Sequence, residues 1–473
     1  MKRRPNLIFV FADQLRYQSC GYAGDKNAHT PNIDLLAEEG IDLCNAISGH
    51  PVCSAYRASL FTGKYTTSTG MVINELRMNP DHKCLAHGLD EGGYDTAYIG
   101  KWHLYANEYG NHDALKNSYI PPGRNRLGFD GYWAAYNFHH LYYDGYYYQD
   151  KPEKITLAGY EPDGQTDLAI EYLQKASSED QPFALFLSYG TPHDPWVKKN
   201  VPDQFYDQFK DTEFPIPPNY SLKKDPYGDS WSNIDKDSAK IQEWMRVYYA
   251  MTANLDWNLG RLLATVDRLD LNEESIIIFT SDHGEMFGAQ GRMKKNIFYE
   301  ESIRIPFLIR WPGKIKAGTN SDVCLNTVDI MPTVLSMLDL PVSDQVEGMD
   351  ISHILLGEEG PEPEVALLQN TGACAVWEDG HEWRAVRDKK FTYAVYRVDG
   401  KELLFDNEND PYQMRNLAEN SYHENKLEYY RNCLRKKMEL INDDFNKSSY
   451  YRDNWTKDRV IIRSATKDFK NNL

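Results

Sequence analysis

Four short apolar segments, each followed at once by polar residues, constrain the fold of this chain more than any other feature. They are 7–12, 94–99, 183–188 and 275–280, and they are rich in Ile, Val and Phe. Helical patterns lie between them, so they predict strands of a parallel sheet that is buried on both faces. In an open α/β sheet, ligands bind beyond the carboxyl ends of the strands. The polar residues after these segments are therefore predicted to form one site.

The residues after the first and last segments have the side chains of a metal site. Asp13, Gln14 and Asp282 offer oxygen ligands, and His283 adds an imidazole or a hydrogen-bond donor beside them. A single aspartate or histidine at a strand end is more often structural, but sets rich in oxygen suit Ca²⁺, Mg²⁺ or Mn²⁺. We therefore predict a divalent-cation site here.

A second candidate feature is the segment 53–63, CSAYRASLFTG. If a helix begins near Cys53, Arg57 lies one turn along on the same face. The positive end of the helix dipole would suit an oxyanion or an anionic substrate. Taken alone, the segment is equally compatible with a helix that buries a small cysteine and exposes its arginine to solvent.

Length and charge limit the class of function. A chain of 473 residues predicts a large domain and a smaller one. The net charge of −18 argues against nucleic acid as the main partner, because no broad basic face would neutralise phosphates. An anion site must then depend on local positive charge, which Arg57, Lys101, His193 and Lys295 could supply. The 7 cysteines lack paired short spacings, so they predict neither a disulfide framework nor a zinc site.

The amino-terminal segment does not have the pattern of an export signal. Basic residues in 1–5 precede an apolar run that stops at Asp13, which is too short for a signal core and lacks a small-residue cleavage site. No run approaches the roughly 18 apolar residues of a membrane span. We therefore expect a cytoplasmic protein that does not interact with a membrane.

The chain is expected to divide after residue 360. The segment 357–363, GEEGPEP, predicts a linker. Beyond it, 384–398 and 402–406 predict antiparallel strands, and 421–447 predicts a charged helix. The expected division is thus a catalytic α/β domain, 1–360, and an α+β subdomain, 361–473.

The segment 105–177 is rich in Tyr, Gly, Asn and Pro and has little periodicity, which is typical of long binding loops. Its aromatic rings could stack on a sugar ring or an aryl group. They could equally pack beneath the loop without contacting a ligand.

The order of these motifs resembles that of the type I sulfatases. The matching segments are 9–16 (FVFADQLR), 29–40, 53–57 (CSAYR), 91–104 (EGGYDTAYIGKWHL), 191–196 (TPHDPW), 280–286, 299–313 (YEESIRIPFLIRWPG) and 404–418. The resemblance implies an alkaline phosphatase-like fold: a large mixed, mostly parallel sheet between helices, then a smaller α+β subdomain with an antiparallel sheet. It also implies hydrolysis of a sulfate monoester, most often of a carbohydrate in bacterial members.

The resemblance further implies that Cys53 is oxidised to formylglycine by a maturation enzyme, and that the hydrated aldehyde is the nucleophile. The implied cation, usually Ca²⁺, would be held by Asp13, Gln14, Asp282 and His283. Arg57 would stabilise the nucleophilic oxyanion.

Four other residues complete the implied site. Lys101, His193 and Lys295 would bind the sulfate oxygens, with His193 or Lys295 protonating the leaving alcohol. His103 would take the proton of the second hydroxyl. We choose Lys295 over its neighbour because it lies four residues before Tyr299, in the family's Lys-x-x-x-Tyr-Glu spacing.

Two alternatives to this interpretation stay open, and the first of them follows from a departure within these motifs. Many sulfatases have a second aspartate where this chain has Gln14, and a glutamine there is similar to a subset of bacterial sulfatases and to phosphonate monoester hydrolases. A phosphonate monoester hydrolase or phosphodiesterase is therefore the closer alternative. Ala55 and Tyr56 replace the commoner Pro and Ser, and Tyr56 bears on recognition by the maturation enzyme. A non-catalytic binder of sulfated ligands, with Cys53 as a thiol, is the more distant alternative. The particular ester, the cation and the oligomeric state stay open.

Overall fold

The computed structural model describes residues 4–234 and 238–469 of the chain. Its architecture is an eight-stranded mixed sheet between helices, followed by a four-stranded antiparallel sheet. The predicted fold class is therefore confirmed. Residues 1–3, used above in the prediction of localisation, and residues 470–473 of the predicted subdomain lie outside the described residues.

The strands are β1 Asn6–Asp13, β2 Ile41–Leu43, β3 Asp95–Lys101, β4 Tyr132–Tyr136, β5 Tyr146–Tyr147, β6 Ile155–Thr156, β7 Phe183–Pro192, β8 Ser275–Ser281, β9 Phe307–Arg310, β10 Thr319–Ser321, β11 Ala366–Asn370, β12 Trp383–Arg387, β13 Phe391–Tyr396, β14 Glu402–Asp406, β15 Thr456–Lys457 and β16 Val460–Ile461. The helices are α1 Pro31–Glu39, α2 Cys53–Thr62, α3 Thr66–Thr69, α4 Leu85–Glu91, α5 Leu115–Ser118, α6 Glu161–Ala176, α7 Asp203–Tyr206, α8 Ser238–Arg268, α9 Glu300–Ile303, α10 Thr327–Met337, α11 Ser352–Leu355, α12 Glu424–Leu440 and α13 Ser448–Trp455.

The large sheet has the order β10-β2-β9-β8-β1-β7-β3-β4. The four apolar segments predicted as strands are β1, β3, β7 and β8, and they lie side by side and parallel at its centre. β9 runs antiparallel to both of its neighbours, which makes the sheet mixed. Because the central strands are parallel, their carboxyl ends meet at one edge of the sheet.

The central strands are buried on both faces, as their continuous apolar runs predict. In β1, Leu7, Phe9 and Phe11 pack into one core and Ile8 and Val10 pack into another on the opposite face. The first core includes α2, α4 and α10, and the second includes α1, α6 and α8. Two layers of helices therefore hold the sheet rigid and fix the positions of its strand ends.

The carboxyl-terminal sheet has the order β11-β12-β13-β14. The predicted strand segments 384–398 and 402–406 correspond to β12, β13 and β14, whereas β11 was not predicted. One face packs against α12, and the other contributes Trp383 and Tyr396 to a core shared with Met286 and Phe298 of the preceding part of the chain. The predicted helix 421–447 is shorter than expected, since α12 ends at Leu440.

Among the described residues, none of the helices has both the length and the apolar character that a membrane crossing requires.

Candidate active site

The carboxyl ends of the four central strands converge on one buried polar centre. Asp13 ends β1 and is followed by Gln14, Lys101 ends β3, and Asp282 follows β8. All of these side chains are buried. Gln14 and His103 both have left-handed backbone conformations, with φ of 72° and 58°, where each chain segment turns sharply after its strand.

Helix α2 brings the segment 53–63 to the same centre. Cys53 is its first residue, and Gly63 ends it in a left-handed conformation with φ of 64°. Arg57 is fully buried, which excludes the solvent-exposed arginine of the alternative interpretation. Its Nη1 donates to the Lys101 carbonyl at 2.8 Å and to Ser188 Oγ at 2.7 Å. The helix start and this arginine therefore share one buried centre.

Four side chains at this centre each offer one potential metal-ligand atom, and these atoms lie within 4.8 Å of one another. The four residues are Asp13, Cys53, Asp282 and His283. His283 Nδ1 lies 3.1 Å from the Gly284 carbonyl, so Nδ1–H donates there and the Nε2 lone pair points into the centre. From Nε2, the Cys53 sulfur and Asp282 Oδ1 are both 3.3 Å away.

The side chains at this centre fit a divalent cation. Within the described part of the chain, Asp282 Oδ2 is buried and accepts no hydrogen bond. Gln14 Oε1 accepts from Lys295 at 2.9 Å and keeps a second lone pair, while its Nε2 donates to Glu285 Oε2 at 2.7 Å. A carboxylate-rich set with one amide oxygen and one imidazole suits a hard divalent ion.

The charges at this centre are strongly coupled. Burial opposes ionisation of Asp13, but the positive charges of Lys101 and Lys295 hold the pKa of its carboxyl well below the usual range. Burial and the neighbouring Asp13 raise the pKa of Asp282. Lys101 Nζ makes a very short contact with Asp13. The centre thus holds like charges close together, an arrangement that a bound cation would relieve.

Lys295 and His193 lie on the side of Cys53 that faces the solvent cavity. Lys295 Nζ is 3.2 Å from the Cys53 sulfur and 2.8 Å from His193 Nε2. His193 Nδ1 in turn lies 2.8 Å from the Asp194 carbonyl, which fixes the ring. Burial and then Lys295 lower the pKa of His193, so this imidazole is neutral and accepts a hydrogen bond from the ammonium group. The choice of Lys295 over Lys294 is consistent with this geometry, because Lys294 instead pairs with Asp194.

His103 is buried, and neither ring nitrogen has a hydrogen-bond partner among the residues that the structure describes. Its ring stacks on Phe138, with the centroids 4.3 Å apart. Burial and then the charge of Lys101 lower its pKa, so the imidazole is neutral. The His103 ring therefore lies near this centre, and neither of its nitrogens is hydrogen-bonded to a described residue.

A cavity of about 440 Å³ opens onto Cys53. The predicted residues His193 and Lys295 line it. Tyr109, His112, Phe138 and His140 come from the segment 105–177, which was predicted to form binding loops. The sequence did not predict the other lining residues, because they come from distant loops without a motif: Asn74, Glu75, Asp229, Trp231, Cys374 and Val376. Within them, Asn74 is tied to the active-site helix, since its Oδ1 accepts from the Ser54 amide at 3.0 Å.

The tyrosine-rich segment contributes less to this cavity than its composition suggested. Tyr109 and Phe138 line the cavity, whereas Tyr142, Tyr146 and Tyr148 are buried elsewhere beneath the loop. For these three tyrosines, the alternative of local packing is the observed one.

The family models that match this chain and its similar proteins carry the same kind of description. The family described as "Sulfatase" matches residues 5–340, and the family described as "N-sulphoglucosamine sulphohydrolase, C-terminal" matches residues 288–443. An ulvan-active sulfatase of Formosa agariphila is 36% identical over 455 residues, which cover 95% of this chain and 84% of that protein.

Two solved structures share the fold of this chain. A protein in complex with its substrate D-glucosamine-2-N,6-O-disulfate superposes with a TM-score of 0.81 at 24% identity, covering 95% of this chain and 99% of that one. A phosphonate monoester hydrolase of Agrobacterium radiobacter superposes with a TM-score of 0.72 at 21% identity, covering 92% and 96%. Both share the fold, and the phosphonate hydrolase is the more distant.

Proposed function

This chain belongs to the sulfatase family, and from that premise we propose that it hydrolyses a carbohydrate sulfate monoester through a formylglycine formed from Cys53, with a bound divalent cation. The observation that carries the proposal is the convergence at the start of α2. Cys53 lies 3.2 Å from Lys295 Nζ, within a set of metal ligands, and at the floor of an open cavity.

Cleavage of a sulfate monoester requires a strong nucleophile and neutralised charge, because the ester is a hindered anion. Formylglycine at position 53, as its hydrate, would supply two geminal hydroxyls: one as the nucleophile at sulfur, with the alcohol as the leaving group, and the other to release the sulfate and restore the aldehyde. A maturation enzyme that oxidises the cysteine side chain is the partner that this proposal requires.

Asp13, Gln14, Asp282 and His283 would hold the cation, which supplies Lewis-acid stabilisation of negative charge at the attacking oxygen. We favour Ca²⁺, with Mg²⁺ or Mn²⁺ as alternatives, because the set is rich in oxygen. Arg57, whose Nη2 lies 3.6 Å from Asp282 Oδ2, would add a fixed positive charge behind residue 53.

The remaining side chains are assigned to the substrate. Lys101, His193 and Lys295 would bind the sulfate oxygens, and the Lys295–His193 pair, joined at 2.8 Å, would give a proton to the leaving alcohol. His103 would accept the proton of the second hydroxyl, since it is a buried neutral imidazole without a hydrogen-bond partner among the described residues.

The carbohydrate assignment is supported by the sugar disulfate in the complex of the similar structure. We also propose that residues 1–360 form the catalytic domain and 361–473 a subdomain that closes its cavity. In support, Cys374, Val376 and Glu378 line the same cavity as Cys53.

Hydrolysis of a phosphonate monoester is the second candidate, and Gln14 is the observation that favours it. A glutamine in place of an aspartate removes one negative charge from the ligand set. The total charge of the site with its cation is then more positive, which changes the substrate charge that the site favours.

The test compares kcat/KM on 4-nitrophenyl sulfate with kcat/KM on 4-nitrophenyl phenylphosphonate, using enzyme co-expressed with a maturation enzyme. We expect a clear preference for the sulfate, with no turnover by Cys53→Ala. The mass of the peptide containing residue 53 should show the aldehyde in place of the thiol.

A preference for the phosphonate would transfer the assignment to the second candidate. An intact thiol at residue 53 after co-expression, together with binding but no turnover of sulfate esters, would favour a non-catalytic binder. Substantial activity in Cys53→Ala would contradict the nucleophile in either case.

A further inference from the structure

A second cavity lies directly beside the active-site cavity and has no role in the chemistry described above. Its volume is about 310 Å³. Its lining is dominated by aromatic and apolar side chains and consists of Asp194, Pro195, Trp196, Val197, Trp231, Asn233, Trp244, Met293 and Lys294. Asp194 and Trp231 line both cavities, so the two spaces share a wall.

Trp231 connects this second cavity to the reactive centre. Its indole ring lies 5.7 Å from Lys295 Nζ, and that nitrogen is 3.2 Å from the Cys53 sulfur. The Lys295 ammonium group is therefore a common neighbour of the Trp231 ring and of residue 53. The side chain is 40% exposed, so much of its apolar surface is available to a ligand.

The charges in the second cavity cancel each other. Lys294 Nζ lies 2.6 Å from Asp194 Oδ2 and sits over the rings of Trp196 and Trp231, with distances of 5.0 and 5.6 Å to their centroids. With its lysine already paired, the cavity offers aromatic faces rather than a free cation. An uncharged ring with apolar C–H faces and polar edges fits this lining better than a second sulfate or a carboxylate.

We propose that the second cavity binds an uncharged sugar unit attached to the sulfated unit, with Trp231 as the stacking surface. The inference rests on the proposed function, since the sulfated unit must occupy the cavity over Cys53. It specifies the substrate class as a sulfated oligosaccharide or polysaccharide in preference to an isolated sulfated monosaccharide.

The experiment first identifies the best-cleaved substrate among the monosulfated galactose, glucose and N-acetylglucosamine isomers. It then measures kcat/KM on that monosaccharide and on disaccharides that extend it by one galactose in each linkage. For one linkage, we expect kcat/KM to be roughly tenfold higher on the disaccharide. An increase of that size corresponds to the free energy of one favourable aromatic contact. Trp231→Ala should reduce this disaccharide-to-monosaccharide ratio to near one.

Two further variants test the cavity itself. Of the two cavities, Val197 lines only the second, and it is 41% exposed. Val197→Trp should therefore fill the second cavity without disturbing the fold, and it should also reduce the disaccharide-to-monosaccharide ratio to near one. Trp257, on α8, is 42% exposed and lines neither cavity, so Trp257→Ala is the matched control and should keep the wild-type ratio.

The outcomes separate the two proposals. Equal kcat/KM on monosaccharide and every disaccharide, or a ratio that survives in both Trp231→Ala and Val197→Trp, would overturn the second-cavity assignment while leaving the sulfatase assignment intact. Absence of turnover on 4-nitrophenyl sulfate and on every sugar sulfate would instead overturn the proposed function.

Discussion

Two groups of buried charges differ in how completely their side chains are paired. One group lies at the ends of the central strands around Cys53. The other lies beside the carboxyl-terminal sheet and consists of two arginine–carboxylate pairs, Arg384 with Asp443 and Arg387 with Glu300. Both are buried among side chains, so burial alone does not distinguish them.

The arginines beside the carboxyl-terminal sheet are fully paired. Arg384 donates from Nε and Nη2 to the two oxygens of Asp443, at 2.5 and 2.8 Å, and from Nη1 to the Asn370 carbonyl. Arg387 donates to both oxygens of Glu300, at 2.7 and 3.0 Å. Such bidentate geometry offsets much of the cost of removing the charges from water.

The group around Cys53 is incompletely paired. Within the described residues, Arg57 Nε and Nη2, Asp282 Oδ2 and both ring nitrogens of His103 make no hydrogen bond. Buried polar atoms without partners are costly, so their concentration here supports our proposal that a cation and a substrate complete this site. Incomplete pairing, more than the burial of charge, therefore separates the centre that we propose as the active site from the paired arginines beside the carboxyl-terminal sheet.

Of the changes proposed here, removal of divalent cations should lower kcat/KM the most. It should affect only the incompletely paired group around Cys53. Chelation is expected to lower kcat/KM on 4-nitrophenyl sulfate by a thousandfold or more, on the order of the several kcal/mol that a metal ion contributes to charge stabilisation. Adding back Ca²⁺, Mg²⁺ or Mn²⁺ should restore activity and identify the preferred ion. Thermal unfolding provides a second readout, because a cation at about 100 times its Kd stabilises the protein by about 2.7 kcal/mol.

Asp282→Asn is the control for this experiment. It removes the charge of the carboxylate whose Oδ2 accepts no hydrogen bond among the described residues, so the cation-dependent rise in Tm should be much smaller than in the wild type. A protein that keeps full activity and an unchanged Tm in excess chelator would show that no cation completes this centre.

Breaking one of the ion pairs beside the carboxyl-terminal sheet should lower the stability of the fold and leave the activity of the folded protein nearly unchanged. Arg384→Met leaves Asp443 buried without its charge partner, and we expect the free energy of unfolding to fall by about 3–5 kcal/mol. Denaturant titration measures this loss, while kcat/KM of the folded protein should change little. The double variant Arg384→Met/Asp443→Leu should recover much of the stability, since replacing both charges removes the unpaired one. A loss of activity without a loss of stability would contradict the comparison.

The sequence predicted the centre of the large sheet well because its strands are buried on both faces. Segments such as 7–12 and 275–280 are apolar throughout, and that pattern survives without knowledge of neighbouring strands. The short strands β2, β9 and β10 and the strand β11 gave no such signal. Each is only 3 to 5 residues long, and its pairing depends on distant parts of the chain.

The predicted site residues lie together around Cys53, because most of them end or follow a central strand, Cys53 and Arg57 lie on α2, and Lys295 is marked by its spacing to Tyr299. Their individual roles stay predictions. The cavity walls could not be predicted in this way. Asn74, Trp231 and Cys374 reach the cavity from loops that are far apart in sequence, and no local pattern marks them. The burial of Arg57 was also not predictable, since an arginine on a helix is usually exposed.

Glu161 provides the smallest test, because it is a buried carboxyl group without an opposite charge beside it, and its Oε2 makes no hydrogen bond among the described residues. Tyr136 and Gln165 donate to its Oε1, at 2.8 and 3.1 Å, and His139 Nδ1 lies 3.5 Å from Oε2. Burial raises its pKa to about 8, so the folded protein holds this side chain protonated at neutral pH. A pKa that is higher in the folded state means that the stability is fully present below the ordinary value of 4.5 and is lost as the pH rises through 8.

Glu161→Gln should remove this pH dependence, because the amide oxygen can still accept from Tyr136 and Gln165 while no proton can be lost. We therefore expect Tm of the wild type to fall between pH 6 and pH 9 by roughly 2 °C more than Tm of the variant. The burial of His139, which lowers its pKa to about 4, keeps it neutral across this range, so it adds no compensating charge. Parallel Tm curves for the two proteins would mean that Glu161 is ionised in the fold, and it would then belong with the incompletely paired charges around Cys53.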